Sequence, residues 1–439
     1  MMDSVIHLRS TMNRKVVSRF AMLAPVLASA ALASTSFSAH AQLDTQACLA
    51  KLRPAASANG LSSADFDRFT QGSQLLESTV TAARNQPEYR ETWWEYIAKT
   101  VDEERVEQGQ RILAEYRPEL EKIGARFNVD PEALVAIFGI ETNYGKQLGK
   151  TRVIDAWLTR ACTETNPLWT KNAYASVRLL RDGVVQPETF TGSWSGAFGM
   201  TQFIPTSFYE LAVDGDEDGR IDLYGSLPDA FASSANHLRK RGAQWTHGVP
   251  ALIEVQLPQT LAAGLPTSPD SEHFKRDDKR TLAQWQGQGV RRADGKPLAS
   301  SSGEGATAFL FAPTGANGPV FLATANFDAI LHYNQSHRYA MAVSLLTNRL
   351  AGEPGLSTPW PTDDPGLSRA QVRELQQLLL KRGHDIGVAD GIPGAKTRAA
   401  VAAEQARLGM RQTGSMGLKT LDALRGEAPQ ASPSAQVPG

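Results

Sequence analysis

Apolar residues crowd one stretch of this chain on nearly every side. Between Val129 and Gly145, the positions Leu134, Val135, Ile137, Phe138 and Ile140 leave no polar face. Such a run predicts a helix buried all round rather than an amphipathic surface helix. Asp130 is placed to cap it, and Pro131 suits a first turn that needs no backbone N–H. Gly145 can end it in a left-handed conformation. Upstream, residues 42–128 read as mainly helical, with 91–97 leading into an amphipathic stretch over 101–127. Helical character continues to about Asp182. Residues 192–205 break the pattern, because four of those fourteen are Gly or Pro. The segment is a shaped loop, yet Trp194, Phe198, Met200, Phe203 and Ile204 make it too apolar for a solvated connection. Residues 250–322 show no helical period and predict a small strand-containing subdomain. Helix returns over 326–334 and 339–350.

A Pro/Gly-rich linker, 352–365, then marks a domain boundary. Beyond it, Asp390-Gly-Ile-Pro-Gly-Ala-Lys-Thr397 recurs in part as Thr413-Gly-Ser-Met-Gly-Leu-Lys-Thr420, offset by 414 − 391 = 23 residues. Each copy is a glycine turn with Thr397 or Thr420 placed to cap a helix, and the first follows a helix over 370–382. Residues 426–439 are Pro/Ser/Ala-rich and read as disordered.

Composition narrows the class. An apolar fraction of 41%, a charged fraction of 21% and a net charge of −1 describe a soluble globular protein without a nucleic-acid signature. Residues 1–41 read as an export signal: Arg14, Lys15 and Arg19, then an apolar segment over 20–33, then Ala39-His40-Ala41 before Gln42. The apolar segment is too short to span a membrane, and no later one reaches that length. No lipoprotein-type Leu-Ala-Gly precedes Cys48, so the expected location is periplasmic without a lipid anchor. The only cysteines, Cys48 and Cys162, can pair as a disulfide there, with two buried thiols as the alternative. No CxxC, HExxH or Cys/His cluster suggests zinc or a thiol nucleophile, and no organic cofactor is expected.

Three groups carry candidate chemistry. Glu141 closes the buried helix, where apolar neighbours and the negative end of the helix dipole both disfavour its ionised form, as a general acid requires; a solvated rim glutamate is the alternative. Asp214, Asp216, Asp218 and Asp222 occupy positions 1, 3, 5 and 9 of a cation-binding loop, with Gly219 at 6 and Arg220 at 7 offering its carbonyl. Position 12 is Gly225, so Asp229 is the substitute ligand. The expected ion is structural, calcium first, with magnesium or sodium in its place; an acidic surface turn without an ion is the alternative. Finally, Tyr333-Asn-Gln-Ser-His-Arg-Tyr339 sets polar aromatics at a helix junction suited to stacking on a sugar.

Taken in order, Glu141-Thr-Asn-Tyr-Gly, the loop over 192–205, the cation loop and the Tyr333–Tyr339 motif resemble the lytic murein transglycosylase B family over roughly residues 45–350. Residues 366–425 resemble the peptidoglycan-binding type 1 domain, a small three-helix module. The resemblance implies a mainly α, lysozyme-like catalytic domain over 42–351. It also implies cleavage of the β-1,4 bond between N-acetylmuramic acid and N-acetylglucosamine to leave 1,6-anhydro ends. Glu141 matches the family's single acid/base. Ser193 and Gln202 match residues lining its active site, Tyr333, Asn334 and Tyr339 match its sugar-contacting cluster, and Tyr96 matches an aromatic from the N-terminal helices. The partners implied are peptidoglycan strands, with other cell-wall enzymes as further candidates.

The chain departs from the family at His237, where Tyr is frequent, and at Asn143-Tyr144, where Arg-Trp is common. Residues 366–425 hold ten Lys/Arg against five Asp/Glu, which suggests attraction to anionic peptide stems, or else a solvated basic face. Two rivals stand beside the transglycosylase: a hydrolytic muramidase, and a non-catalytic wall-binding adaptor.

Overall fold

The computed structural model describes residues 43–84, 91–240, 245–298, 303 and 305–426. The expected signal segment and the segment over 427–439 lie outside the described residues. The protein is mainly helical, as the pattern predicts, and the described residues also hold a small six-stranded antiparallel sheet and a two-stranded ribbon. Among the described residues no helix is long and apolar enough to cross a membrane.

The apolar helix runs Pro131–Thr142 and lies at the centre of the largest core, with every residue from Ala133 to Gly139 buried. Around it pack the helices Glu103–Glu115, Arg117–Phe127, Leu227–Lys240 and His337–Leu350. Its ends differ from expectation. Asp130 takes the extended N-cap conformation, but its side chain caps no N–H of the helix. It accepts instead from Trp245 Nε1 at 2.7 Å and Gly248 N at 2.9 Å, tying the helix start to the segment before the sheet. At the other end the left-handed residue is already Asn143, with Tyr144 and Gly145 continuing at positive φ.

A second core joins the helices Thr45–Leu52 and Ser63–Thr70 to the helices Val153–Thr163 and Pro167–Arg181 around Phe66, Trp157, Phe190 and Phe198. Cys48 and Cys162 form a disulfide across it, 114 residues apart in sequence.

The strand-containing subdomain supplies most of the described strands: after the short ribbon β1 (Thr151–Arg152) and β2 (Thr191–Gly192) come β3 (Leu252–Gln256), β4 (His273–Phe274), β5 (Arg280–Thr281), β6 (Arg291–Arg292), β7 (Thr307–Ala312) and β8 (Val320–Thr324). Its sheet has the order β4-β7-β8-β3-β6, with β5 also on β7. Phe309, Phe311 and Phe321 face the main core, while Ala308, Leu310 and Leu322 face a separate cluster around Leu282 and Trp285. Both faces are covered, which is why the central strands show no polar alternation.

The 352–365 linker is pinned to this body rather than free. Glu254 accepts from Ser357 N and Thr358 N at 2.8 and 2.7 Å, and Trp360 packs on the main core. The C-terminal module is three helices, Arg369–Lys381, Ala395–Arg407 and Leu418–Gly426, around Leu375, Leu379, Val401, Leu421 and Leu424. Neither threonine of the repeat is a cap. Gly394 takes the extended N-cap position, so each helix starts earlier, and Thr397 and Thr420 are third helical residues buried in the module. The two glycine turns hang on buried glutamines: Gln376 Oε1 accepts from Gly391 N, and Gln405 Oε1 from Gly414 N.

Candidate active site

Glu141 is the penultimate residue of Pro131–Thr142 and half-buried, the point where the buried helix comes to the edge of its core. The helix His337–Leu350 packs alongside, and Tyr339 in its first turn donates its phenol to Glu141 Oε1 at 2.7 Å. Tyr333 ends the preceding helix, Ala325–Tyr333; its hydroxyl donates to Thr201 O at 2.7 Å and lies 3.3 Å from Ser234 Oγ. Burial, and then the charge of Glu141, push both phenols above the ordinary tyrosine value. They therefore remain donors throughout the working pH range. Tyr96, buried on the helix Trp93–Thr100, also bears electrostatically on Tyr339.

The glycine-rich loop is fastened to this cluster. Phe198 and Phe203 exchange backbone hydrogen bonds at 2.9 Å in both directions, making a tight hairpin. Thr142 Oγ1 donates to Met200 O at 2.6 Å, so the residue after Glu141 holds the loop directly. Gln202 lies at φ 52°, a left-handed value that a non-glycine residue adopts at a cost, and its amide donates to Gly199 O at 3.0 Å. At Gly196, φ is +89° and a Cβ would lie 2.4 Å from Trp157 Nε1, which donates to Gly196 O at 2.8 Å. Only glycine fits there. Ser193 Oγ accepts from Ala197 N at 3.2 Å and holds the base of the same loop.

Of the residues predicted from sequence, Glu141, Tyr339 and Tyr333 converge, with Tyr96 beside them. Ser193 and Gln202 lie on the loop that Thr142 and Tyr333 hold through Met200 O and Thr201 O. Asn334 turns toward its own junction, accepting from Ser336 N at 3.2 Å. Sequence reasoning passed over Thr142 and Ser234, which tie neighbouring elements together; only their adjacency to Glu141 and His237 could have flagged them. His237 packs on Tyr333 with ring centroids 4.4 Å apart.

Carboxylate oxygens of Asp214, Asp216 and Asp229 lie within 4.8 Å of one another. Asp218 and Asp222 stand outside this trio, their carboxylates accepting from Arg220 N, and from Tyr224 N and Gly225 N. Those two residues close turns, because an Asp side chain readily accepts from a backbone N–H two residues on. Asp229 is 1% exposed, and burial, with the charge of Asp216, pushes its carboxyl up. Converging carboxylates with one so deeply buried suit a hard, oxygen-seeking cation.

Comparison with known proteins places these features in context. Residues 44–348 match the transglycosylase SLT domain, and residues 368–424 match a putative peptidoglycan binding domain. The chain is 29% identical over 261 residues to membrane-bound lytic murein transglycosylase B of Escherichia coli, covering 59% of this chain and 67% of that one. Among solved structures, SltB3 from Pseudomonas aeruginosa in complex with NAG-anhNAM-pentapeptide is similar at 40% identity with a TM-score of 0.65, covering 87% of this chain and 99% of that one. The Escherichia coli lytic transglycosylase SLT35 in complex with calcium is similar at 26% identity and a TM-score of 0.55, covering 70% of this chain and 92% of that one.

Proposed function

The chain belongs to the transglycosylase SLT domain family and is a lytic murein transglycosylase, an enzyme acting on peptidoglycan; from that premise we propose that Glu141 is its single acid/base. The observation that carries this reading is the 2.7 Å hydrogen bond from Tyr339 to Glu141 Oε1. It orients the carboxyl at the end of the buried helix through Oε1. Protonated, Glu141 donates to the glycosidic oxygen between N-acetylmuramic acid and N-acetylglucosamine as the C1–O bond breaks. Ionised, it then takes the proton of the muramoyl C6 hydroxyl while O6 bonds to C1. The ring closes to a 1,6-anhydro end, the carboxyl regains its proton, and no water is consumed. Residues 192–205 contain no second carboxylate, unlike the two-carboxylate arrangement of ordinary glycosidases. Tyr333, Gln202, Ser193, Asn334 and Tyr96 are the groups we assign to sugar contact.

Residues 42–351 form the catalytic domain in this reading and 366–425 the wall-binding module. A periplasmic location follows from the export signal. Asp214, Asp216 and Asp229 would hold a calcium ion that crosslinks the loop to the helix Leu227–Lys240, a structural role that supplies no step of the reaction. Digestion of murein in water enriched in oxygen-18 tests the chemistry. Transglycosylation puts no label into the released sugars, whereas a hydrolytic muramidase labels every new reducing end.

A further inference from the structure

Three basic residues of the C-terminal module, Arg369, Arg373 and Arg398, pair with carboxylates of the catalytic body. Arg369, the first residue of its first helix, forks onto Asp102, with Nε to Oδ2 at 2.7 Å and Nη2 to Oδ1 at 3.1 Å. Its backbone N–H also reaches Oδ2, at 3.2 Å, and both side chains are buried. The remaining guanidinium nitrogen, Nη1, donates to Asn143 Oδ1. Asn143 is the left-handed cap of the helix that carries Glu141, and its N–H returns to Gly139 O at 3.1 Å. Asp102 caps the neighbouring helix through Arg105 N at 2.8 Å, and Arg105 O accepts from the hydroxyl of Tyr144, next to Asn143, at 2.7 Å. A closed ring of contacts therefore joins the module to the end of the acid helix. Arg373 with Glu104 and Arg398 with Glu91 are outer ion pairs of the same interface.

The last turn of a helix frays unless its cap is held, and Glu141 stands in that turn. We propose that Arg369 is a positioning residue for Glu141: the wall-binding module, by holding the Asn143 cap, sets where the carboxylate stands against Tyr339. This inference rests on Glu141 being the acid/base. The module then governs turnover itself, including turnover of glycans too short to reach it. Displacing a reacting group by about 1 Å can cost on the order of a hundredfold in rate, so a partial release of the cap gives a measurable loss.

The test is steady-state cleavage of a soluble tetrasaccharide of alternating N-acetylglucosamine and N-acetylmuramic acid by the full chain. Arg369→Met lowers kcat by about tenfold with KM within about twofold and with sedimentation onto murein sacculi unchanged. Asn143→Gly keeps the left-handed cap and removes only the acceptor; it gives a similar loss, and the double variant is no slower than the slower single. It carries the test alone if Arg369→Met does not fold. Arg373→Met, at the outer ion pair, turns over near the wild-type rate. Wild-type kcat in Asn143→Gly overturns the proposal, as does a loss confined to KM or to sedimentation. Glu141→Gln separates the two readings. If it cleaves at the wild-type rate, the acid/base assignment has failed; if it is inactive while Asn143→Gly is unimpaired, only the positioning role has failed.

Discussion

Tyr339 donates its phenol to Glu141 Oε1 across 198 residues of sequence, joining the first turn of one helix to the last turn of another. The bond holds that carboxylate oxygen against the phenol. Replacing the phenol removes a charge-assisted hydrogen bond while leaving the ring in the core.

Tyr339→Phe should therefore lower kcat about tenfold to a hundredfold with little change in KM, because the acid loses its orientation rather than the enzyme its substrate. Steady-state kinetics on soluble glycan checks this. A wild-type kcat would assign Tyr339 to the core alone.

How much of this was legible in the sequence follows from the range of each interaction. The helix Pro131–Thr142 was readable because burial on all sides erases polar periodicity within a single stretch, and Glu141 stood out at its end. Asp229 was readable because the cation loop lacks an acid at its last position. Sheet pairing was not, since strands covered on both faces carry no alternation and pair across long separations. Thr397 and Thr420 misled because both helices start two residues before the threonine, the first of them after an extended Gly394. The module's ten basic residues read as a surface for anionic stems or a solvated basic face, yet three of them, Arg369, Arg373 and Arg398, pair with carboxylates of the catalytic body. Sequence alone does not distinguish a solvated arginine from one at an interface.

At Gly196 a side chain would have to occupy the space of the Trp157 indole at a positive φ. Gly196→Ala should destabilise the protein by about 2–3 kcal/mol and misplace the loop. Thermal unfolding and activity should fall together; an unchanged melting temperature would show that the loop adapts.

Chelated protein should melt at a higher temperature when calcium is restored, because an ion bound only by the folded state stabilises it. Asp216→Asn, at the exposed edge of the trio, should abolish that rise while leaving metal-free melting nearly unchanged. Differential scanning fluorimetry with calcium and with magnesium measures it. An identical rise in the variant would move the ion elsewhere.

Docking of the module should be sensitive to acid. Burial alone would raise the Asp102 carboxyl, but the hydrogen bonds and charge of Arg369, and then Arg105, outweigh it and hold the group below the ordinary carboxylate value. A depressed folded value means the stabilisation is present above about pH 4 and is lost as pH falls through the lower, folded-state value. Glu104, paired with Arg373, is held down too and adds in the same direction. Urea unfolding followed from pH 7 down to pH 3 should show a steeper loss in the wild type than in Asp102→Asn. Parallel curves would remove Asp102 from the linkage.

The most direct test of the acid/base assignment is the mass of muropeptides released from purified murein by the wild type and by Glu141→Gln. Products one water lighter than their hydrolytic counterparts, released by the wild type and absent from the variant, are what the assignment predicts. Anhydro products at an undiminished rate from Glu141→Gln would contradict it.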